Sequence, residues 1–284
     1  MTGPVPPAIV DYLQKTEVGT VQRFEPAAGG CISHGGKLTT TQGVFFLKWN
    51  DVTRFPGLFE SESKGLVLLA ANGNLRTPAV CICETLEPYQ WLLLEWIEPA
   101  SQARDYWEQV GRSLALLHRQ QGAQFGLDHN NYIGSLPQSN RPHTHWHDFF
   151  WHERLLPQVT LLGNQALMKK LKALAWKFSD FFPAEPPSLL HGDLWAGNLL
   201  VDHRGLPCVI DPAVYYGHRE AELAFTHLFG GFDSRFLEAY EEVYPLQPGF
   251  DKRREVYNLY PLLVHANLFG GSYLRQAERI IAGW

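Results

Sequence analysis

The sequence predicts an α+β fold of two lobes, β-rich at the N-terminal end and mainly helical after it, and two observations carry that prediction. Residues 20–97 are dominated by short apolar runs rich in Val, Phe, Trp and Leu, broken by glycines, which is the pattern of half-buried strands and tight turns. From Asp105 onward the apolar residues recur at three- and four-residue intervals instead, as amphipathic helices require. We therefore place one lobe at residues 1–97 and a helical lobe at residues 98–284. A chain of 284 residues has room for one large domain or two smaller ones, and either can bury a sizeable core.

In chain order, a short helix is expected near Pro7 to Lys15. Residues 20–49 then read as a three-stranded meander, "TVQRFEPAAGGCIS", "KLTTT" and "VFFLKWN", with Gly29, Gly30, Gly35, Gly36 and Gly43 at its turns. In "LFESESKGLVLLAAN" the residues Leu58, Glu62, Leu66 and Leu69 share helical spacing. Two further strands, "AVCICETL" and "QWLLLEWI", flank a turn at Glu87 to Tyr89 and run into Glu98-Pro99. The second lobe starts with "DYWEQVGRSLALLHRQQ", where Trp107, Val110, Leu114 and Leu117 form one stripe, and the segments 146–182, 219–229, 234–243 and 251–281 behave similarly. Between those helices "NLLVD" and "CVIDPA" read as a small hairpin.

Composition narrows the function classes. With 45% hydrophobic, 19% charged and 13% aromatic residues, the chain is an ordinary globular one. A formal net charge of -5 removes the diffuse attraction on which non-specific binding to nucleic acid or anionic membranes depends. Four sparse cysteines, Cys31, Cys81, Cys83 and Cys208, form no disulfide framework, and reduced thiols fit a cytoplasmic setting. The start of the chain lacks the basic and long apolar segments of a secretory signal, and no apolar run approaches the ~20 residues that span a bilayer.

The stretch "LLHGDLWAGNLLVDHRGLPCVIDPA" carries the chemistry. Asn198 lies five residues after Asp193, and Asp211 follows thirteen residues later at the end of a strand-like run. Singly, these residue types are turn formers. In this order they match phosphoryl transfer, in which one Asp orients or deprotonates the attacking hydroxyl while an Asn and a second Asp hold Mg²⁺ on nucleotide phosphates. Mg²⁺ takes oxygen ligands, so an amide and a carboxylate suffice when phosphates complete its shell.

Lys48 in "VFFLKWN" shares a strand face with Phe46 and could offer an ammonium to those phosphates, with Glu62 on the next helix as the ion-pair partner that fixes it. "GGCISHGGK" is a glycine-rich turn whose backbone N–H groups can approach phosphate closely. It matches neither the P-loop nor the G-x-G-x-x-G pattern. Within it Cys31 reads either as a small half-buried side chain or as an oxidation-sensitive thiol. "HTHWH" at 143–147, with His152 nearby, raises a metal site but has no evident carboxylate or cysteine to complete it. The cluster Trp146, Phe149, Phe150 and Trp151 reads as core or pocket wall, because few basic residues interleave with it.

Taken together, "GGCIS", "FFLKWN", "FESESKGL", "LLLEWI", "FGLDHNNYIGSLPQ", "ERLLPQ", "LLHGDLWAGNLL", "IDPAVYYGHREAELAFTHLFGGF" and "NLYPLLVHANLFGGSY" resemble the fructosamine kinase (ketosamine-3-kinase) family over nearly the whole chain. That family is a branch of the kinase-like superfamily, related to the aminoglycoside and choline phosphotransferases. The resemblance implies a protein-kinase-like, two-lobed fold that phosphorylates the 3-hydroxyl of a ketosamine with ATP and Mg²⁺. The acceptor would be a fructosamine or ribulosamine, free or on a glycated lysine, and the unstable product would release the amine. It makes Asp193 the base, Asn198 and Asp211 the Mg²⁺ ligands, and Lys48 and Glu62 the phosphate-binding pair. Gly30, Ser33 and Gly35 would lie over the phosphates, and Glu95, Trp96 and Ile97 would form the hinge against adenine. Cys31 matches the place of a cysteine linked in this family to redox control through disulfide-bonded dimers, so a monomer or a homodimer is expected. Trp195, Asn131, Trp146 and His218 are candidates for the acceptor pocket.

Where protein kinases carry D-F-G and an activation segment, this chain runs Asp211-Pro212-Ala213 directly into "VYYGHREAELAF". A small acceptor or a glycated lysine therefore fits better than a docked peptide. The competing expectations are a kinase of another small amino or hydroxyl compound, such as an aminoglycoside, choline or homoserine, and a non-catalytic nucleotide-binding or redox-sensing module.

Overall fold

The computed structural model describes residues 5–27, 33–71 and 73–284. Its N-terminal lobe contains α1 (Pro7–Leu13), β1 (Val21–Pro26), β2 (His34–Thr40), β3 (Val44–Asp51), α2 (Leu58–Ala70), β4 (Val80–Leu86) and β5 (Tyr89–Glu95). The five strands form one antiparallel sheet in the order β1-β2-β3-β5-β4. Strand alternation divides its side chains between two cores. On one face Leu47, Trp49, Trp91 and Leu93 pack with Ile9 and Leu13 of α1. On the other, Leu92 and Leu94 pack with Phe59 and Leu66 of α2, and Phe46 joins them. Lys48 has the parity of Phe46, so its stem leaves the sheet on the α2 side.

The second lobe holds α3 (Tyr106–His118), β6 (Asn131–Ile133), β7 (Leu136–Gln138), α4 (Trp146–Phe149), a π-helical stretch over Phe150–Leu155, α5 (Leu156–Leu161), α6 (Gln165–Ala175) and α7 (Phe178–Phe181). There follow β8 (Ser188–Leu190), a 3₁₀ turn at Ala196–Asn198, β9 (Leu199–Val201), β10 (Pro207–Val209), β11 (Tyr215–Gly217) and α8 (Arg219–Leu228). The last four helices are α9 (Ser234–Val243), α10 (Phe250–Tyr257), α11 (Leu259–Phe269) and α12 (Ser272–Ala282). A single large core binds this lobe, including Leu114, Phe149, Phe150, Leu190, Leu223, Tyr240 and Leu263.

The expected hairpin is present as β9 against β10, in register Leu200 to Cys208. The pairings of β6 with β7 and of β8 with β11 add strands that helical periodicity concealed. The segment 146–182 is not continuous helix. It breaks after α5, where Gly163 takes φ +65° and the Asn164 side chain accepts from Leu167 N at 3.0 Å to start α6, as helix capping requires. The segment 251–281 is likewise cut at Gly270 and Gly271, and α1 stops at Leu13 rather than Lys15.

Contacts at Gly65 and at Arg76 help to join the lobes. Gly65 on α2 lies so near the chain that a Cβ there would stand 3.1 Å from Val214 Cγ2. Arg76, between α2 and β4, bonds Glu95 at 2.6 Å on the sheet side and buried Asp202 at 2.7 Å on the helical side. Among the described residues, no helix is long and apolar enough to cross a membrane.

Candidate active site

The upper wall of the cleft is a charged triad. Register places Lys48 of β3 opposite Gly35 of β2 and Leu92 of β5. Its Nζ lies 2.8 and 3.0 Å from the two carboxylate oxygens of Glu62 on α2. The same Nζ lies 2.8 Å from Asp211 Oδ1 of the other lobe. Burial disfavours the Lys48 cation, but Asp211 and Glu62 outweigh it and raise its pKa, so the ammonium persists. Burial, opposed by Lys48, raises the pKa of Glu62, and Asp211 adds to the rise.

The floor is built differently. After β8 the chain turns through His191, Gly192 and Asp193, and a fully buried carboxylate holds the turn from below. Glu222 of α8 accepts from His191 N at 3.0 Å and from Gly192 N at 2.6 Å. It also lies 2.9 Å from His118 Nε2 of α3, whose Nδ1 meets the Tyr240 hydroxyl at 2.8 Å. Burial raises the Glu222 carboxyl, yet His118, His191 and the Gly192 N–H prevail and hold it below its ordinary range. Gly192 adopts φ +84°, and a Cβ there would collide with the Ala213 carbonyl, so the turn demands glycine. His191 Nε2 donates to Ile210 O at 2.9 Å while Nδ1 accepts from Asp193 N at 3.3 Å. Burial pushes its pKa down, which keeps the ring neutral.

Asp193 is thereby fixed with Asn198, whose Nδ2 donates to Asp193 O at 2.8 Å and Oδ2 at 3.2 Å. Burial raises the pKa of Asp193 well above the ordinary carboxylate value, and Asp211 and Glu222 add to the rise against the Asn198 bond. The Ile210 N to Asn198 O bond, 3.1 Å, sets Asp211 beside this loop. Asp211 has φ +55°, a left-handed conformation that non-glycine residues adopt at a cost. Its Oδ1 is engaged by Lys48 while its side chain is half-exposed. Asn198 spends its nitrogen on Asp193 and has Oδ1 left over. These are hard oxygen donors of the kind Mg²⁺ takes, and the residues fit it.

Beneath Asp193 opens a pocket of about 480 Å³, mouth included, walled by Tyr215, Phe225, Tyr257, Tyr260 and His265. It is mostly apolar, with two acidic residues, Asp193 and Glu222, in its lining, and apolar walls with a few polar groups are usual for a small-molecule site.

The structure brings Lys48, Glu62, Asp193, Asn198 and Asp211 to one cleft. Gly35 lies on β2 directly across from Lys48, and the Ser33 hydroxyl accepts from Asn50 Nδ2 at 3.1 Å. Glu95 ends β5, its N–H is spent on Ala79 O, and its side chain holds Arg76. Trp96 and Ile97 follow the strand, and Trp96 stacks with Phe46 and lies under Lys37. Gly30 and Cys31 lie outside the described residues.

Three expected pocket residues have other work. Trp146 is buried in a ring cluster with Phe150, His218 and Tyr257. Fully buried His218 caps α8, its Nδ1 facing Glu220 N and its Nε2 Pro183 O. Asn131 donates to Val214 O at 2.8 Å and accepts from Gln138 and Asn140, so both ends of its amide are spent under the Pro212–Val214 segment. Trp195 differs, with 41% of its surface exposed beside Asp193. No group of three or more histidine, cysteine or acidic side chains among the described residues could hold a metal ion, which removes the "HTHWH" site. His143 pairs with Glu153, and His145 and His147 with Asp148.

Glu222 and Arg76 were not among the expected site residues. Glu222 stands in "GHREAELAF", where an acid in the first turn of a helix looks like ordinary dipole complementation. Its partners are backbone N–H groups from thirty residues away, and these leave no mark in the sequence.

A family model described as fructosamine kinase matches residues 8–284. The chain is 37% identical over 270 residues to a "probable ketoamine kinase" of Synechocystis sp., covering 92% of this chain and 90% of that one. It is 35% identical to a chloroplastic protein-ribulosamine 3-kinase of Arabidopsis thaliana, covering 94% of this chain and 82% of the relative. Among solved structures, a proposed fructosamine-3-kinase of Thermobifida fusca superposes with a TM-score of 0.86 at 29% identity, covering 97% of both chains. Aminoglycoside phosphotransferase APH(4)-Ia shares the fold alone, at TM-score 0.64 and 16% identity over 97% of each chain.

Proposed function

The chain belongs to the fructosamine kinase family of ATP-dependent phosphotransferases, and on that premise we propose that it phosphorylates the 3-hydroxyl of a ketosamine. The acceptor is a fructosamine or ribulosamine, free or carried by a glycated lysine, and breakdown of the product frees the amine. The observation that carries this reading is the meeting of the Lys48–Glu62–Asp211 triad with the Asp193–Asn198 pair beside a mostly apolar pocket.

In this reading Asp193 orients the acceptor hydroxyl and takes its proton at a carboxylate oxygen. Burial raises its basicity, which favours taking a proton from the hydroxyl. Lys48, held protonated by Glu62, neutralises charge on the nucleotide phosphates. Asn198 and Asp211 are the residues that would hold Mg²⁺, which when bound supplies further charge neutralisation there. Asp193 stands on a turn that Glu222 locks, so the base meets the acceptor already positioned, which lowers the entropic part of the barrier. Free Cys81, Cys83 and Cys208 accord with a reducing, cytoplasmic setting.

The test measures ATP consumption with ribulosamine lysine and fructosamine lysine beside choline and an aminoglycoside, and locates the phosphate by ³¹P NMR. We expect turnover with the ketosamines alone and a phosphate on O3. Asp193→Ala should lower kcat by about 10³-fold or more while ATP still binds. Turnover retained in that variant would remove Asp193 as the base, and turnover confined to choline or the aminoglycoside would remove the acceptor class.

A further inference from the structure

The pocket beneath Asp193 continues outward along two helices. Phe225 of α8 and His265 of α11 line it. One turn further along, each helix carries a second ring, Phe229 and Phe269, and these are 39% and 59% exposed. Four-residue spacing stacks inner and outer rings on the same helix face. The centroids are 5.6 Å apart both for Phe225 with Phe229 and for His265 with Phe269. The helices meet where Phe229 lies 4.7 Å from His265, and Tyr273 of α12 closes the corner at 5.1 Å from His265 and 6.3 Å from Phe229. An aromatic strip thus runs unbroken from the pocket wall to solvent. Burial pushes the His265 pKa down, so the strip carries no formal charge.

Contiguous rings left open to water contribute nothing to the core, and such patches mark binding surfaces. The direction of the strip indicates what it meets. An acceptor with its sugar hydroxyl at Asp193 has to carry the group on its nitrogen out through the pocket mouth. Phe229 and Phe269 carry the pocket's aromatic lining on to solvent through their contacts with Phe225 and His265.

Resting on the reading of this pocket as the ketosamine site, we propose that Phe225, Phe229, His265, Phe269 and Tyr273 bind the substituent on the ketosamine nitrogen and select an apolar one, alkyl or aromatic. Flat rings offer broad contact to a hydrocarbon chain, and water leaves both surfaces. A charged substituent would lose hydration there and find no counter-charge in the strip.

The experiment uses ribulosamines that differ only in the nitrogen substituent, N-methyl, N-butyl, N-benzyl and N-(2-carboxyethyl). Each is tested on the full-length enzyme and on the Phe229→Ala/Phe269→Ala double variant, with thermal melting to confirm folding. For the unmodified enzyme kcat/KM should rise about tenfold from N-methyl to N-butyl, less than three fully buried methylenes would give. It should rise at least as much for N-benzyl and not at all for N-(2-carboxyethyl). In the double variant the butyl-to-methyl ratio should fall to about two, because the two exposed rings are lost and only Phe225, His265 and Tyr273 remain. Should the double variant not fold, Phe269→Ala alone carries the comparison, since that ring is the more exposed. Turnover with a flat series, or an unchanged ratio in the variant, overturns the subsite and leaves the acceptor class standing. No turnover with any ribulosamine overturns the acceptor reading and the subsite with it.

Discussion

Two buried glutamates stand on opposite sides of the cleft, and they are held in opposite ways. Glu62, in the β-rich lobe, has one hydrogen-bond partner among the described residues, the flexible Lys48 side chain, which also reaches Asp211 across the cleft. Glu222, in the helical lobe, has two backbone N–H groups and an imidazole that is itself pinned by Tyr240. The first arrangement joins side chains whose geometry depends on how the lobes sit. The second is internal to one lobe and fixes a turn. A phosphoryl-transfer site needs a base that does not move and a cation that can adjust to the phosphates, and the two glutamates divide those tasks.

The comparison can be broken at three points. Glu222→Ala should have the largest effect on stability, because it strands the His191 and Gly192 N–H groups and the His118 ring in a buried site. We expect a loss on the order of 3–5 kcal/mol, read as a lower urea midpoint, together with a fall in kcat as Asp193 loses its support. A variant as stable as the parent would show that the turn holds itself.

Glu62→Ala should act the other way round, with a modest stability change because Lys48 keeps Asp211, and a loss in kcat/KM of about 10–100-fold. Steady-state kinetics with varied ATP checks this, and an unchanged kcat/KM would reduce the Lys48–Glu62 pair to a structural contact.

The smallest effect is at the seam between the regions. Burial raises the Asp202 carboxyl, but the Leu206 and Arg204 N–H groups and the Arg204 guanidinium hold it down to about 2. Its value in the unfolded chain is about 3.9, so its contribution to stability is complete above pH ~5 and is lost as pH falls through about 2. The stability advantage of the parent over Asp202→Asn should be level from pH 7 to about 5, roughly halved at pH 3, small at pH 2 and gone near pH 1. Urea unfolding across that range checks it, and an advantage undiminished at pH 2 would place the effect in packing rather than charge.

Lys48 and Glu62 were legible because strand parity is a local property. Phe46 and Lys48 must share a face, and the helix that follows the strand covers that face. Asp193, Asn198 and Asp211 were legible because one short loop and one hairpin carry all three. Trp146, Asn131 and His218 are hard to read from sequence for the converse reason. An asparagine or a histidine near a site motif reads alike whether its polar atoms are free or spent, and here Val214 O and Pro183 O engage them, while Trp146 is packed into a buried ring cluster. The breaks within 146–182 escaped because helical periodicity runs through Gly163 and Asn164 without showing where a turn interrupts it.

The sequence by itself determined the two-lobed α+β layout, the parity that sends Lys48 toward Glu62, and the order of the residues in the catalytic loop. All three follow from spacing along the chain. Only the tertiary structure decided that Glu222 grips that loop, that Arg76 joins the lobes between Glu95 and Asp202, and that Phe225, Phe229, His265 and Phe269 align into one strip leading out of the pocket. Each of these joins segments far apart in sequence, through backbone donors or ring faces, and neither leaves a spacing rule in the chain to be read.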